Sequence, residues 1–281
     1  FKTLEFDKII TELTDLAGSE RGRLYCSQLA PITDPEKIRA RQTETGDALA
    51  RLIRDGSVSF SGVVDVTPFA KRLEIGGTLN TTELLGIASL LSAAASVKRY
   101  GDSGRNEEHR DSLAAYFEGL APHQELHDEI TRCILSEDSI ADDASPELKN
   151  IRRQMGGMNE RIRAQLQKIL TGSARDYLQD AVITSRDGRY CLPVKSENKS
   201  QVAGIVHDQS SSGQTLFIEP MAVVNLNNEL RQLELEEKKE IERILSLLSE
   251  KAAECMSEIE SDYRLLTELD FIFAKGQMAY R

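Results

Sequence analysis

From Met221 to the last residue, Arg281, the sequence contains no proline. Proline inside a helix removes a backbone hydrogen bond and clashes with the preceding turn, so so long a proline-free run leaves room for a very long helix or two in succession. Ile241, Ile244, Leu248, Ala252, Cys255, Ile259 and Tyr263 advance in steps of three or four. That spacing aligns an apolar stripe along one helix face, and a stripe needs something to pack against. Leu148, Ile151, Met155, Met158, Ile162, Leu166 and Ile169 advance in the same way behind Pro146. They predict a first helix of roughly 25 residues and about 37 Å. Two such rods with a different segment between them predict an antiparallel two-helix arm.

Between the rods the apolar period changes from helical to two. AVITSRDGRYCLPVK is a hairpin signal, because Asp187-Gly188 suits a two-residue turn with both residues at positive φ. In that register Arg186 faces Arg189, Thr184 faces Cys191 and Ile183 faces Leu192. Two arginines opposed across a turn repel unless Asp187 or an outside anion such as phosphate screens them. GIVHDQS and TLFIEP read as two further strands around QSSSGQ. The expected tip is a small antiparallel sheet carrying its basic residues outward.

Gly156 and Gly157 lie inside the first rod, where each costs about 1 kcal/mol relative to alanine. Close approach of another helix and a bending point both account for such a pair.

The formal charge is −11, which taken alone speaks against a nucleic-acid partner. From Lys149 to Gly204, however, eleven basic side chains meet five acids, so this window is +6 and the remainder −17. A segregated basic segment is the electrostatic footprint of an anionic partner, although a solvated helix face has the same composition. Aromatic residues make up 5% and tryptophan is absent, a balance that suits long helices better than β-sandwiches or aromatic-lined pockets. The four cysteines, Cys26, Cys133, Cys191 and Cys255, stand singly. Neither a zinc-site spacing nor a disulfide framework is present, which fits a reducing cytoplasm. No apolar run is long enough for a membrane span, and FKTLEFDKII lacks the form of a signal peptide.

The first part of the chain reads as helices separated by proline and glycine. The apolar steps of LEFDKIITELTDLA give one; Ser19 caps a second, and Asp34-Pro35 opens a third through Leu52. Thr81 or Thr82 starts an alanine-rich helix to about Tyr100, and two more are expected at 107–118 and 123–136.

The polar string VAGIVHDQSSSGQTLFIEP invites a hydrolytic reading. His207 and Asp208 are neighbours on an expected strand, so their side chains should leave opposite faces and form no oriented dyad. The serines fall in a turn, and no G-x-S-x-G elbow is present. A contact loop offering hydroxyls, backbone N–H groups and a histidine to phosphate is the alternative.

RDGRYCLPVK, GIVHDQSSSGQTLFIEP and VVNLNNELRQLELEEKKEIERIL together resemble the clamp region of the second bacterial MutS paralogue, the anti-recombination branch of the MutS family. TLEFDKIITELTDLAGSERGR, DDASPELKNIRRQ and LDFIFAKGQMAYR extend the resemblance over essentially the whole chain. The resemblance implies a mainly α fold: a helical core and lever with a long antiparallel two-helix arm tipped by a small antiparallel sheet. The implied division is core and lever at 1–145, clamp arm at 146–263 and a return helix at 264–281. Within the arm, the helices occupy 146–172 and 221–263 and the β tip 180–219.

Family members couple this region to an ATPase domain and many to an Smr nuclease domain. They form homodimers that bind branched DNA and restrain recombination, and some act on stalled ribosomes and so meet ribosomal RNA. No glycine here is followed by lysine, so the phosphate loop is missing; ATP and magnesium are expected only in an ATPase domain outside this sequence. The lack of an initial methionine and the end within an apparent helix suggest a piece of a longer protein. Phe217-Ile218-Glu219 matches the mismatch-reading Phe-x-Glu of the other branch, but lies in an expected clamp strand. The candidate nucleic-acid contacts are Arg186, Arg189, Lys195, Lys199, His207 and Ser211, with no catalytic residue or metal site. A purely structural arm that pairs subunits or transmits ATP-driven motion is the rival reading.

Overall fold

The computed structural model describes residues 5–103 and 110–281. Among the described residues, seven helices come first in chain order: α1 (Phe6–Leu16), α2 (Glu20–Ser27), α3 (Pro35–Asp55), α4 (Thr67–Glu74), α5 (Thr81–Asp102), α6 (Ala114–Glu118) and α7 (Gln124–Cys133). A short hairpin, β1 (Ile134–Ser136) and β2 (Ser139–Ile140), leads to the long helix α8 (Pro146–Thr171). Strands β3 (Thr184–Arg186), β4 (Arg189–Lys195), β5 (Gly204–Gln209) and β6 (Thr215–Pro220) precede α9 (Met221–Glu254) and α10 (Met256–Tyr280). The chain is mainly α-helical with two small antiparallel sheets. It separates into two compact units, Phe1–Ala141 with Leu245–Arg281, and Asp142–Ile244.

The caps explain where the helices of the first unit begin. Ser19 accepts from the Gly22 N–H, Asp34 from those of Glu36 and Lys37, and Asn80 and Glu83 form a reciprocal capping box at the head of α5. Leu84, Ile87, Leu90, Leu91 and Val97 of α5 are fully buried, and Tyr100, Phe117 and Phe273 meet edge-on or tilted nearby. Asp270 of α10 accepts the N–H groups of Gly18 and Ser19 and the Ser19 hydroxyl, at 2.9, 2.8 and 2.5 Å. A Cβ at residue 22 would stand 2.1 Å from an Asp270 oxygen, so only glycine fits there.

Three local expectations are corrected. The helix predicted at 123–136 stops at Cys133, because Ser136 and Ser139 flank a Glu137-Asp138 turn that folds Ile134 and Ile140 together as buried hairpin partners. Of the helix predicted at 107–118, only Ala114–Glu118 is found, and positions 107–109 lie outside the described residues. The break in the proline-free run falls at Cys255 rather than near 263. The apolar step of three or four continues across it through Ala252, Met256 and Ile259, so periodicity carried no sign of it.

In the second unit, α8 and the first half of α9 run antiparallel. Ser145 bonds Glu240 at 2.6 Å and Arg152 bonds Glu237 at 2.7 Å, so the α9 numbers fall as the α8 numbers rise. The four-stranded sheet has the order β3-β4-β6-β5. Leu192, Val194, Leu216 and Ile218 face Ile162, Leu166 and Leu170 of α8 and Val223 and Leu230 of α9, forming one continuous core.

Candidate nucleic-acid interface

The hairpin turn between β3 and β4 has the geometry its sequence demands. Asp187 and Gly188 have φ of 50° and 74°, and the pairs Arg186–Arg189 and Thr184–Cys191 stand opposite each other. The arginine repulsion is relieved by two other carboxylates, not by Asp187. Arg186 Nε donates to Asp208 Oδ2 at 3.0 Å, and its guanidinium lies 3.7 Å from the Phe217 ring centroid. Arg189 Nη1 donates to Glu219 Oε1 at 2.8 Å and Nη2 to Asn228 Oδ1 at 2.6 Å.

Glu219, fully buried on β6, is the centre of this arrangement. Besides Arg189, it meets His207 Nε2 at 2.5 Å and accepts from Asn227 Nδ2 at 2.8 Å. Asn227 also bonds the Tyr190 carbonyl, tying the head of α9 to β4. A buried carboxylate is tolerated when its oxygens are filled in this way, and a lone one is not. The neighbouring Cys191 thiol, fully buried, is pushed up to about 11 by desolvation and by the charge of Glu219. It stays protonated and inert.

The idea that the tip turns its cations outward therefore fails for Arg189, which is engaged by Glu219 and Asn228, and for His207, whose Nε2 meets Glu219. The expectation that His207 and Asp208 leave opposite faces is also corrected. A bulge lies between Val206 and Asp208 opposite Ile218–Phe217, and an extra residue in a strand breaks strict alternation. Both side chains consequently serve the β6 face of Phe217 and Glu219: His207 reaches Glu219, and Asp208 reaches the stacked Arg186. They form no dyad.

The remaining candidates gather at the opposite end of β4. Lys195 Nζ donates to the Asp176 carbonyl at 3.1 Å, and Lys199 is exposed on a 3-10 segment, Ser196–Gln201, without an ion pair or side-chain hydrogen bond among the described residues. Ser196 N–H bonds the Gln214 carbonyl, bringing this segment to the β5–β6 turn that holds exposed Ser211. Ser210, next to it, accepts the Thr215 N–H through its hydroxyl. The six residues thus form two groups: Arg186, Arg189 and His207 engaged by carboxylates, and half-exposed Lys195 with exposed Lys199 and Ser211 free of them.

Sequence reasoning missed Glu219, Asp208, Asn227 and Asn228. A single acid in the apolar run TLFIEP, and two adjacent asparagines in the second turn of the following helix, were the available signals. Among the described residues no group of three histidine, cysteine or acidic side chains is arranged to hold a metal ion. Nor is any described helix long and apolar enough to cross a membrane.

The chain matches no family model. It is 57% identical over 280 residues to Endonuclease MutS2 of Agathobacter rectalis, a match covering 99% of this chain and 35% of that protein. The Endonuclease MutS2 proteins of Lachnospira eligens and Lachnoclostridium phytofermentans are 49% and 48% identical, again over 99% of this chain and 35% and 36% of theirs. The chain spans about a third of the length of these curated relatives. Along 99% of its length, this chain is therefore similar to about a third of each of these Endonuclease MutS2 proteins.

Proposed function

We propose that this chain is the nucleic-acid-holding, non-catalytic portion of a longer dimeric MutS2 protein, and that its second unit is the clamp arm. The ligand is the phosphate backbone of branched DNA or of ribosomal RNA. The ATPase and nuclease chemistry, with the ATP and magnesium it needs, belongs to other parts of the protein, which works in the cytoplasm. The observation that carries this reading is the placement of charge. The whole +6 window falls inside the compact unit Asp142–Ile244, in a chain of net charge −11.

Contacts to phosphate fix position without reading sequence and release counterions, so affinity should fall steeply with salt and depend little on sequence. The test uses the full-length protein and a labelled four-way junction, with Lys195 and Lys199 both changed to glutamate. These two sit at the open end of the sheet, where reversal leaves the Glu219 cluster intact. A loss of tenfold or more at moderate salt is expected, with the salt slope reduced by about one unit per lost contact. Unchanged affinity and slope for the junction and for ribosomal RNA would remove the tip from the interface.

A second reading, an arm that only pairs subunits or transmits motion, draws support from the internal bonding of Arg186, Arg189 and His207. Photocrosslinking from residue 199 separates the two. Adducts with nucleic acid support holding, whereas adducts confined to the other subunit support the structural arm.

A further inference from the structure

Cations already engaged by the protein's own carboxylates are poor phosphate ligands, and the tip has spent several of them. Besides Lys199, unspent ones lie elsewhere in the same unit. Among the described residues, Lys149, Arg161, Arg163 and Lys168 of α8 are exposed and make no ion pair or side-chain hydrogen bond, and Arg153 bonds only the neutral Asn150. At 3.6 residues per turn these five fall within an arc of roughly 160°. That arc lies opposite the stripe of Leu148, Met158, Ile162, Leu166 and Leu170 that packs into the core. Glu160 is the one acid among them.

Gly156 and Gly157 open on the same side. Both are exposed, and a Cβ built on either meets no atom within 4 Å. Close approach by another part of this unit, one of the two explanations for the pair, is thereby excluded. Glycine in a helix interior weakens the helix, so two adjacent glycines without an internal contact leave a bend, or the approach of something outside to the bare backbone, as their explanation.

We infer that the outer face of α8 is a docking track for one strand of a nucleic-acid backbone, with phosphates held by the five cations and the strand passing close over Gly156-Gly157. This rests on the holding function proposed above and shifts its main contact from the β tip to the helix. From Lys149 to Lys168 the face runs about 28 Å, or roughly eight phosphates at 3.4 Å per step along a strand. The chemistry favours nucleic acid over an acidic protein. Protein interfaces are anchored by buried aromatic or aliphatic side chains, and no exposed large apolar residue occurs on α8. Between its cations the face offers glycine, Asn150, Ala164 and Gln167.

The test uses the full-length protein with a labelled 40-base-pair duplex, a four-way junction and polyglutamate as probes. Arg161, Arg163 and Lys168 are changed together to glutamine. Expected are a loss of tenfold or more on both nucleic acids and a salt slope smaller by about 2 to 3 units, near 0.9 per contact removed. A second variant, Gly156→Leu with Gly157→Leu, keeps every charge and adds better helix formers. It should bind severalfold more weakly with an unchanged slope while melting no lower than wild type. If the triple variant binds like wild type while Lys195→Glu with Lys199→Glu does not, the α8 track is wrong and the holding function stands. If neither variant alters binding, both fail. Loss of polyglutamate binding with duplex binding intact would make this face a protein-docking surface and overturn the inference.

Discussion

Asp270 in the helical unit and Glu219 in the sheet unit are both shut away from solvent, 2% and 0% exposed, yet their oxygens meet different groups. Asp270 accepts two backbone N–H groups and a hydroxyl around Ser19, neutral dipoles that open α2. Glu219 is filled by a guanidinium, an imidazole and an amide drawn from β4, β5 and α9. The first carboxylate fixes one chain segment through its backbone, and the second joins three elements through side chains. Losing a side-chain partner of Glu219 leaves a buried carboxylate unmatched, an exposure to single substitutions that the backbone N–H groups around Asp270 do not share.

The sharpest way to break this comparison is Glu219→Leu. Arg189 and His207 lose their shared acceptor while partly buried. Removing one partner from a buried pair costs about 3–5 kcal/mol. Urea unfolding followed by amide exchange should show the loss concentrated in β4–β6 and the head of α9, with α5 and α7 nearly unchanged. A uniform loss over both units, or none, would contradict the assignment of Glu219 as the local keystone.

Asp262, also in the helical unit, sharpens the contrast because it lacks what Asp270 has. It is fully buried and accepts the Ala121 N–H through Oδ1 at 2.8 Å, but no described group hydrogen-bonds Oδ2. Desolvation pushes it up to about 6, against the pull of that N–H and of nearby His123 and Lys98, with Glu258 raising it further. The folded state therefore holds this proton more tightly than the unfolded chain. Its contribution is full below about pH 4 and is lost as pH rises through about 6. Asp262→Asn should leave stability unchanged at pH 4 and raise it by about 2 kcal/mol at pH 8. A stability difference that does not vary with pH between 4 and 8 would refute this account.

Much of this architecture is written in local patterns, and the part that is not has a common cause. The two rods, the Asp187-Gly188 turn with its register and the caps at Ser19 and Asp34 follow from period, turn chemistry and short-range bonding. The partners of Arg189 and His207 do not, because Glu219 and Asn228 lie 30 and 39 positions from Arg189 and become neighbours only when β4 pairs with β6 and α9 folds back. The bulge at Val206–Asp208 belongs to the same class. No residue there signals it, yet it decides where a histidine and an aspartate point. Charge counting located the basic window, but which cations remain free depends on these long-range pairings.

The smallest effect comes from Gly156 and Gly157, and it tests the opposite side of the comparison, a place where the fold leaves stability unused. Each added methyl meets open space, so Gly156→Ala and Gly157→Ala should gain only the helix-propensity difference, about 0.8–1 kcal/mol apiece. The gain should appear as a higher urea midpoint for the sheet unit and not for the helical one. A methyl is short enough that the double alanine variant should lose much less affinity for nucleic acid than the double leucine variant. A destabilised alanine variant would mean that the pair serves as a bend the folded protein requires, and the glycines would then be explained by motion within α8 rather than by what passes over it.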